Sequence, residues 1–169
     1  PKPQNPAHLL NRLNMVKLDL QVCATLENVT DMKMLDSDDW HFKTKCTGCG
    51  EESENVIYFN LIEKQTVEGS RGEAHYIAKC KFCKKPGYVE YAKNTNKPYT
   101  QNEKWQTICT FECRNIELIK FVPVTNFKAR GSQGDGDTEF DDIGLSGDPD
   151  WAGYDEGADA SVGVYEFKS

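Results

Sequence analysis

Apolar residues occupy every second position from Met15 onward, with Val16, Leu18, Leu20, Val22, Ala24 and Leu26 separated by mostly polar neighbours. A period of two belongs to a strand with one buried face, so residues 16 to 27 are predicted to form a long strand. A turn-like Asn28 to Asp31 and an acidic loop, Asp36-Ser37-Asp38-Asp39, lead to a second strand, Trp40 to Lys45. Strand patterns recur at Asn55 to Glu63, at Glu73 to Lys79 and at Tyr88 to Tyr91, each rich in aromatic and branched residues that fit a pleated surface. Polar residues 94 to 104, with Pro98 and Tyr99, read as a loop joining two halves. Beyond it Trp105 to Cys113, Ile116 to Val124 and the closing Ser161 to Phe167 resume the strand pattern.

Two stretches break the pattern. Residues 1 to 14 hold prolines and asparagines without periodicity and read as a non-native leader, with a natural flexible extension as the alternative. Residues 131 to 160 are dominated by Gly and Asp, which weaken strand and helix alike, and are expected to form a loop-rich acidic wrap. Phe140, Ile143, Leu145, Trp151 and Tyr154 recur along that wrap as anchors for docking it on the body. An internal echo links Asn28, Val29 and Lys33 with Asn115, Ile116 and Lys120 at an offset of 87. Short β-segments often match this well by chance, which is the preferred reading; a duplication would mean two similar β lobes.

The chemistry is concentrated in two matched pairs, Cys46-Thr47-Gly48-Cys49 and Cys80-Lys81-Phe82-Cys83. Each pair places two thiolates on one tight turn, and two such turns face to face supply the four sulfurs that tetrahedral Zn²⁺ favours. Hairpin strands are expected on both sides of each pair, as in a zinc ribbon. Gly48 and Gly50 permit the close approach that points backbone N–H groups at ligated sulfur. Lys84 and Lys85 follow the second pair and offset the charge of a tetrathiolate site. A dithiol redox pair is the competing reading, but such motifs sit at a helix N-terminus and no helix pattern follows Cys49 or Cys83. The other cysteines, Cys23, Cys109 and Cys113, are expected to pack in the core.

These features give an all-β fold, a two-lobed β-sandwich or barrel-like protein with a zinc-ribbon-like element. The zinc-bearing β lobe is expected at 15–93 and the second lobe, with the acidic loop, at 94–169. One zinc is expected per chain, on Cys46, Cys49, Cys80 and Cys83.

Net charge is −7. A surplus of acid argues against nucleic acid and anionic membrane as partners, and favours a protein partner. No apolar run is long enough to span a bilayer, and odd cysteines in C-x-x-C turns suit a reducing compartment. A monomer in the cytoplasm is therefore expected, with the nucleus left open. His8, His41 and His75 are scattered, four thiolates fill a tetrahedral site, and no nucleophile, metalloprotease or phosphate-loop motif is present, so no catalytic residues are assigned. Asp135, Asp137 and Glu139 alternate like calcium-loop ligands, but Phe140 stands where that loop needs glycine, and a solvated loop is the better reading.

With these motifs the chain resembles the eukaryotic CXXC-motif-containing zinc-binding protein family, from about Met15 to the C-terminus. The resemblance rests on Ala24-Thr25-Leu26-Glu27-Asn28-Val29, the two cysteine turns, the Gly69-Ser70-Arg71-Gly72 loop, Phe111-Glu112-Cys113-Arg114 and Ser161-Val162-Gly163-Val164-Tyr165-Glu166. It implies an all-β protein with one zinc on Cys46, Cys49, Cys80 and Cys83, and no enzyme activity. Cys23 and Cys109 lie outside the motif and inherit no role. The expected function is that of a zinc-stabilised protein-interaction module; the alternative is a metal-handling or redox protein using the same thiols.

Overall fold

Strands and turns without helix make up the described residues, 15–69, 71–134 and 138–169, of a computed structural model. The expected leader 1–14, Ser70 of the marked loop, and Asp135 and Asp137 of the calcium alternative lie outside them. The strands are β1 (Val16–Glu27), β2 (Val29–Lys33), β3 (Trp40–Cys46), β4 (Ile57–Phe59), β5 (Gln65–Thr66), β6 (Glu73–Ala74), β7 (Tyr76–Lys79) and β8 (Pro86–Tyr91). They continue with β9 (Gln106–Arg114), β10 (Ile116–Val122), β11 (Phe127–Gly131), β12 (Glu139–Ile143), β13 (Trp151–Asp155) and β14 (Ala160–Lys168).

The alternating stretch forms β1 over its full predicted length. The turn expected through Asp31 shrinks to one residue, Asn28, whose φ of 53° lies in the left-handed region that asparagine tolerates. That single residue redirects the chain from one sheet into another. Asn115, with φ 57°, does the same between β9 and β10. The side-chain amide of Asn28 donates to the Ser161 carbonyl at 2.8 Å, and that of Asn115 to the Pro86 carbonyl at 2.9 Å.

A six-stranded antiparallel sheet has the order β13-β14-β1-β9-β8-β7, and two three-stranded sheets run β10-β3-β4 and β12-β11-β2. Strands on either side of the central β1–β9 contact correspond: β14 and β13 answer to β8 and β7, and β2-β11-β12 to β10-β3-β4. The registers agree as well. Val29 pairs with Gly131 as Ile116 pairs with Cys46. Glu27 pairs with Gly163 as Arg114 pairs with Tyr88, and Gly153 with Val162 as Ala78 with Gly87. The echo in the sequence is thus a structural repeat, two β units arranged about an approximate two-fold axis. One unit runs through residues 40–122; the other combines 16–33 with 127–168. The division drawn at 93/94 falls inside the first unit, between the paired strands β8 and β9, because β1 crosses to join strands from the far end of the chain.

The core lies between the sheets. Trp40, Phe42, Phe59, Phe111 and Phe121 meet at ring-centroid distances of 5.2 to 6.2 Å, in the edge-on and offset geometries that aromatic quadrupoles favour. The joining loop also enters the core. Tyr99 is fully buried, and its hydroxyl accepts from the Ala24 N–H at 3.1 Å and lies 3.0 Å from the Ala24 and Lys104 carbonyls. The strand expected at 55–63 is only three residues long, because the Asn60 side chain accepts from the N–H groups of Ile62 and Glu63 and turns the chain.

Within the acidic stretch, β12 and β13 replace the expected loop, and β11 precedes it unforeseen. Pairing supplies what Gly and Asp lack in strand propensity: β11 is flanked on both sides, and β13 is zipped to β14. Ile143 and Leu145 are buried and Phe140 and Trp151 half-buried, but Tyr154 is 55% exposed and its hydroxyl donates to Asp159 of the same hairpin.

His75, between β6 and β7, is buried. Its Nδ1 accepts the Tyr91 N–H at 3.0 Å, which leaves Nε2–H to donate to the Leu61 carbonyl at 3.1 Å. The ring is therefore held neutral, and burial, aided by the charge of Lys64, pulls its pKa below 6.5. A histidine with a depressed folded pKa contributes stability in full above its unfolded pKa, and that contribution falls as pH drops from about 6.5 toward the folded value. Zinc-loaded wild type is expected to lose stability between about pH 6.5 and 5 more steeply than His75→Gln, measured by urea unfolding at a series of pH values. Parallel slopes would mean that His75 carries no such linkage.

Candidate metal centre

β3 ends on Cys46, and the following turn holds Cys49. β7 ends one residue before Cys80, and the turn to β8 holds Cys83. The two strands belong to different sheets, and the Asn115 corner ties their turns together: its carbonyl accepts from the Thr47 N–H at 3.3 Å while its side chain holds Pro86.

All four Sγ atoms lie within 4.8 Å of one another, with Cys46–Cys83 and Cys49–Cys80 at 3.6 Å. Zinc–sulfur bonds of ~2.3 Å in a tetrahedron put neighbouring sulfurs about 3.8 Å apart, whereas a disulfide needs about 2.05 Å. The sulfurs are spaced for one ion, and all seven cysteines are free. Among the described residues these four are the group of metal-ligating side chains placed to share an ion.

Backbone amides point at sulfur as the turns require: those of Gly48 and Cys49 at Cys46, Glu51 at Cys49, and Phe82 and Cys83 at Cys80. The amides at Cys80 hold its pKa down to about 7. At Cys46 burial works upward, but the amides of Cys49 and Gly48 together with hydrogen bonds to the Cys83 and Cys49 sulfurs outweigh it and the pKa is lowered. At Cys49 the Glu51 amide is overcome by burial and by the neighbouring sulfurs, which push the thiol up to about 11. Four thiols this close resist ionising together, and a divalent cation removes that conflict.

A Cβ at Gly48 would lie 3.0 Å from Lys85 Cδ, so the lysine side chain would have to give by a few tenths of an ångström. Gly50 is required by its φ of 78°. Lys85 overlies the first turn, whereas the Lys84 ammonium donates to the Lys81 carbonyl at 2.6 Å. Cys46 is buried, Cys80 and Cys83 are half-buried and Cys49 is exposed, so the cluster sits at the surface.

The remaining candidates are elsewhere. Burial pushes Cys109 and Cys113 up to about 12, as inert core thiols. Cys23 is only partly buried, short of the core placement expected. His41 Nδ1 lies 3.0 Å from the nearby Asp39 carbonyl, and His75 serves the backbone.

Sequence reasoning missed the counterpart of this centre in the second unit. By the registers above, Gly131 and Gly134 stand where Cys46 and Cys49 stand, and Asp155 and Ala158 where Cys80 and Cys83 stand. The Asp155 carboxylate, 1% exposed, accepts the N–H groups of Gly157 and Ala158 at 3.0 and 3.2 Å, as Cys80 faces those of Phe82 and Cys83. The Thr138 hydroxyl adds a third bond at 2.8 Å. One corner of the repeat thus carries four thiols and the other a hydrogen-bonded carboxylate. No motif in the sequence signals this corner.

Fold and site together define an all-β protein with a four-cysteine zinc centre at the junction of two hairpins. The chain belongs to the eukaryotic family of CXXC motif containing zinc binding proteins, whose family model matches residues 19–169. It is 43% identical over 155 residues to the bovine (Bos taurus) CXXC motif containing zinc binding protein, covering 90% of this chain and 95% of that one. Identity to the human (Homo sapiens) protein of the same description is 41% with the same coverage. Among solved structures, the crystal structure of C1orf123 is similar with a TM-score of 0.83 and 40% identity, over 90% of this chain and 96% of that one. A hypothetical protein from Plasmodium falciparum is similar with a TM-score of 0.77 and 29% identity, over 92% and 96%. Zinc binding is the property of this family, and the four cysteines are positioned to hold one ion. No helix among the described residues is long and apolar enough to cross a membrane.

Proposed function

We propose that the protein is a non-enzymatic interaction module in which zinc clamps the turns of the first β unit and so holds a protein-binding surface in shape. One observation carries this reading. The same corner of the second unit is closed by Asp155 and Thr138 through hydrogen bonds alone, which makes it a position the fold needs closed, whatever closes it. Four sulfurs complete a tetrahedral shell and leave no coordination position for a reacting water. The net charge of −7 favours a protein partner with a basic surface over nucleic acid or anionic lipid, and a monomer in the cytoplasm or nucleus suits the reducing conditions that free thiols need.

A second reading, metal handling, is favoured by the exposure of Cys49 and the partial exposure of Cys80 and Cys83. Zinc transfer to a competing chromogenic chelator separates the two. A clamp is expected to release zinc over hours and to lose its fold as it does so. Release within minutes, with far-UV and near-UV circular dichroism unchanged, would replace the clamp by metal exchange.

A further inference from the structure

The two units differ beside the metal centre. In the second unit Phe140 of β12 packs on Trp151 of β13, ring centroids 5.7 Å apart and planes at 67°. Phe140 pairs with Ala129 and Glu139 with Arg130. In the first unit Glu52 bridges to Lys45, and the Ser53 N–H donates to the Thr44 carbonyl at 2.8 Å. Thr44 and Lys45 are the counterparts of Ala129 and Arg130, so Ser53 stands where Phe140 stands. Tyr76 likewise takes the place of Trp151. The aromatic floor is retained, with Tyr76 backed by Phe59 at a centroid distance of 6.1 Å, but the ring that Phe140 contributes in the second unit is replaced by a serine.

What results is a cleft of about 230 Å³, bordered by Ser53, Tyr76, Ala78, Phe82 and Ile116 and reaching Cys46 and Cys80. Glu51, Glu52 and Glu54, from the chain after β3, and Lys79, Lys81 and Lys85, from the end of β7 and the turn that follows, also line it. Phe82, 68% exposed, extends the apolar surface outward. β7, on the cleft wall, is an edge strand that pairs only with β8 among the described strands, and an extended segment can add to such an edge.

We propose that this cleft seats an aromatic side chain from an extended segment of a partner protein, reproducing between molecules the Phe140–Trp151 contact that the second unit makes within itself. The proposal rests on the interaction-module reading and names its surface. A lining that carries both acidic and basic side chains suits a polypeptide with both charges. A second copy of this chain, which exposes Tyr58, Trp105 and Tyr154, is the competing occupant that the test separates.

The test uses zinc-loaded protein and a blocked hexapeptide, Thr-Lys-Phe-Glu-Thr-Ile, patterned on β12 with one charge of each sign beside the phenylalanine. In ¹⁵N-resolved NMR titrations the amides of Tyr76, Ala78 and Ile116 are expected to shift saturably, and replacement of the peptide's phenylalanine by alanine is expected to weaken binding at least about tenfold, since an aromatic ring dominates such contacts. Ser53→Phe, which supplies the missing ring in cis, is expected to abolish the response while keeping zinc and melting temperature. If that variant fails to fold, Ala78→Leu narrows the cleft to the same end. Peptide binding indifferent to its ring, or undiminished in a folded, cleft-filled variant, overturns the proposal, as do shifts at the same amides on concentrating the protein alone. Ring-dependent shifts on another face overturn the cleft but leave the module reading intact; cleft binding retained after zinc is removed overturns the clamp but leaves the cleft.

Discussion

Removing the metal, by chelation or by Cys46→Ser, is expected to lower the melting temperature of the protein by at least about 8 °C. Structural zinc contributes roughly 10–16 kcal/mol in isolated finger peptides, where nothing else holds the fold. Here most of the core, from Trp40 to Phe127, packs without touching the metal centre, so a smaller loss is expected, about 4 kcal/mol. At ~2–4 °C per kcal/mol for a chain of this size, that gives the stated shift. Serine in place of Cys46 removes the buried member of the ligand set and leaves three thiols competing for ionisation. Elemental analysis should find about one zinc per wild-type chain and little in the variant. Hydrogen exchange should accelerate at 46–51 and 79–87 and not at 151–160. A metal-free chain that melts with the wild type would remove zinc from the account of stability.

The second large effect is expected where no metal is involved. Asp155→Ala deletes the acceptor for the N–H groups of Gly157 and Ala158 and for the Thr138 hydroxyl. Donors stranded at a buried corner cost ~1–3 kcal/mol each. With some of them recovering water after relaxation, a total of about 3 kcal/mol is expected, or roughly 6–12 °C. Asp155→Asn keeps an acceptor oxygen and should lose about a third as much. Zinc content should stay at the wild-type level in both. Calorimetry with metal analysis checks each part; a loss of zinc in Asp155→Ala would mean that the two corners are not independent clamps.

These two corners show how unevenly the fold was legible. The paired C-x-x-C turns could be read directly, because metal ligation demands one residue type at one spacing, and few other uses demand the same. The long strand from Val16 to Glu27 was equally plain, since apolar residues alternate along it, with Val22 and Ala24 buried and Leu18 and Leu20 half-buried. The strands of the acidic stretch were not. Their glycines and aspartates oppose strand formation locally, and β11, β12 and β13 exist because β2, from the far end of the chain, pairs with β11, which carries β12, and because β14, itself held by β1, pairs back on β13. The Asp155 corner was hidden for a related reason: a carboxylate that binds backbone amides needs no spacing that distinguishes it from an ordinary surface aspartate.

From its sequence alone the chain determines a β protein, four thiols in two matched turns, and an echo between Asn28 and Asn115. These are local properties, set by side-chain alternation, ligand chemistry and the tolerance of asparagine for a positive φ. Only the tertiary structure decides that the echo is a two-fold repeat with β1 and β9 at its centre, that one corner is prepared for metal and the other closed by hydrogen bonds, and that Ser53 leaves open the seat Phe140 fills. Each of these depends on pairing between distant strands, whose register is selected by the burial of whole faces and not by any residue's own preference.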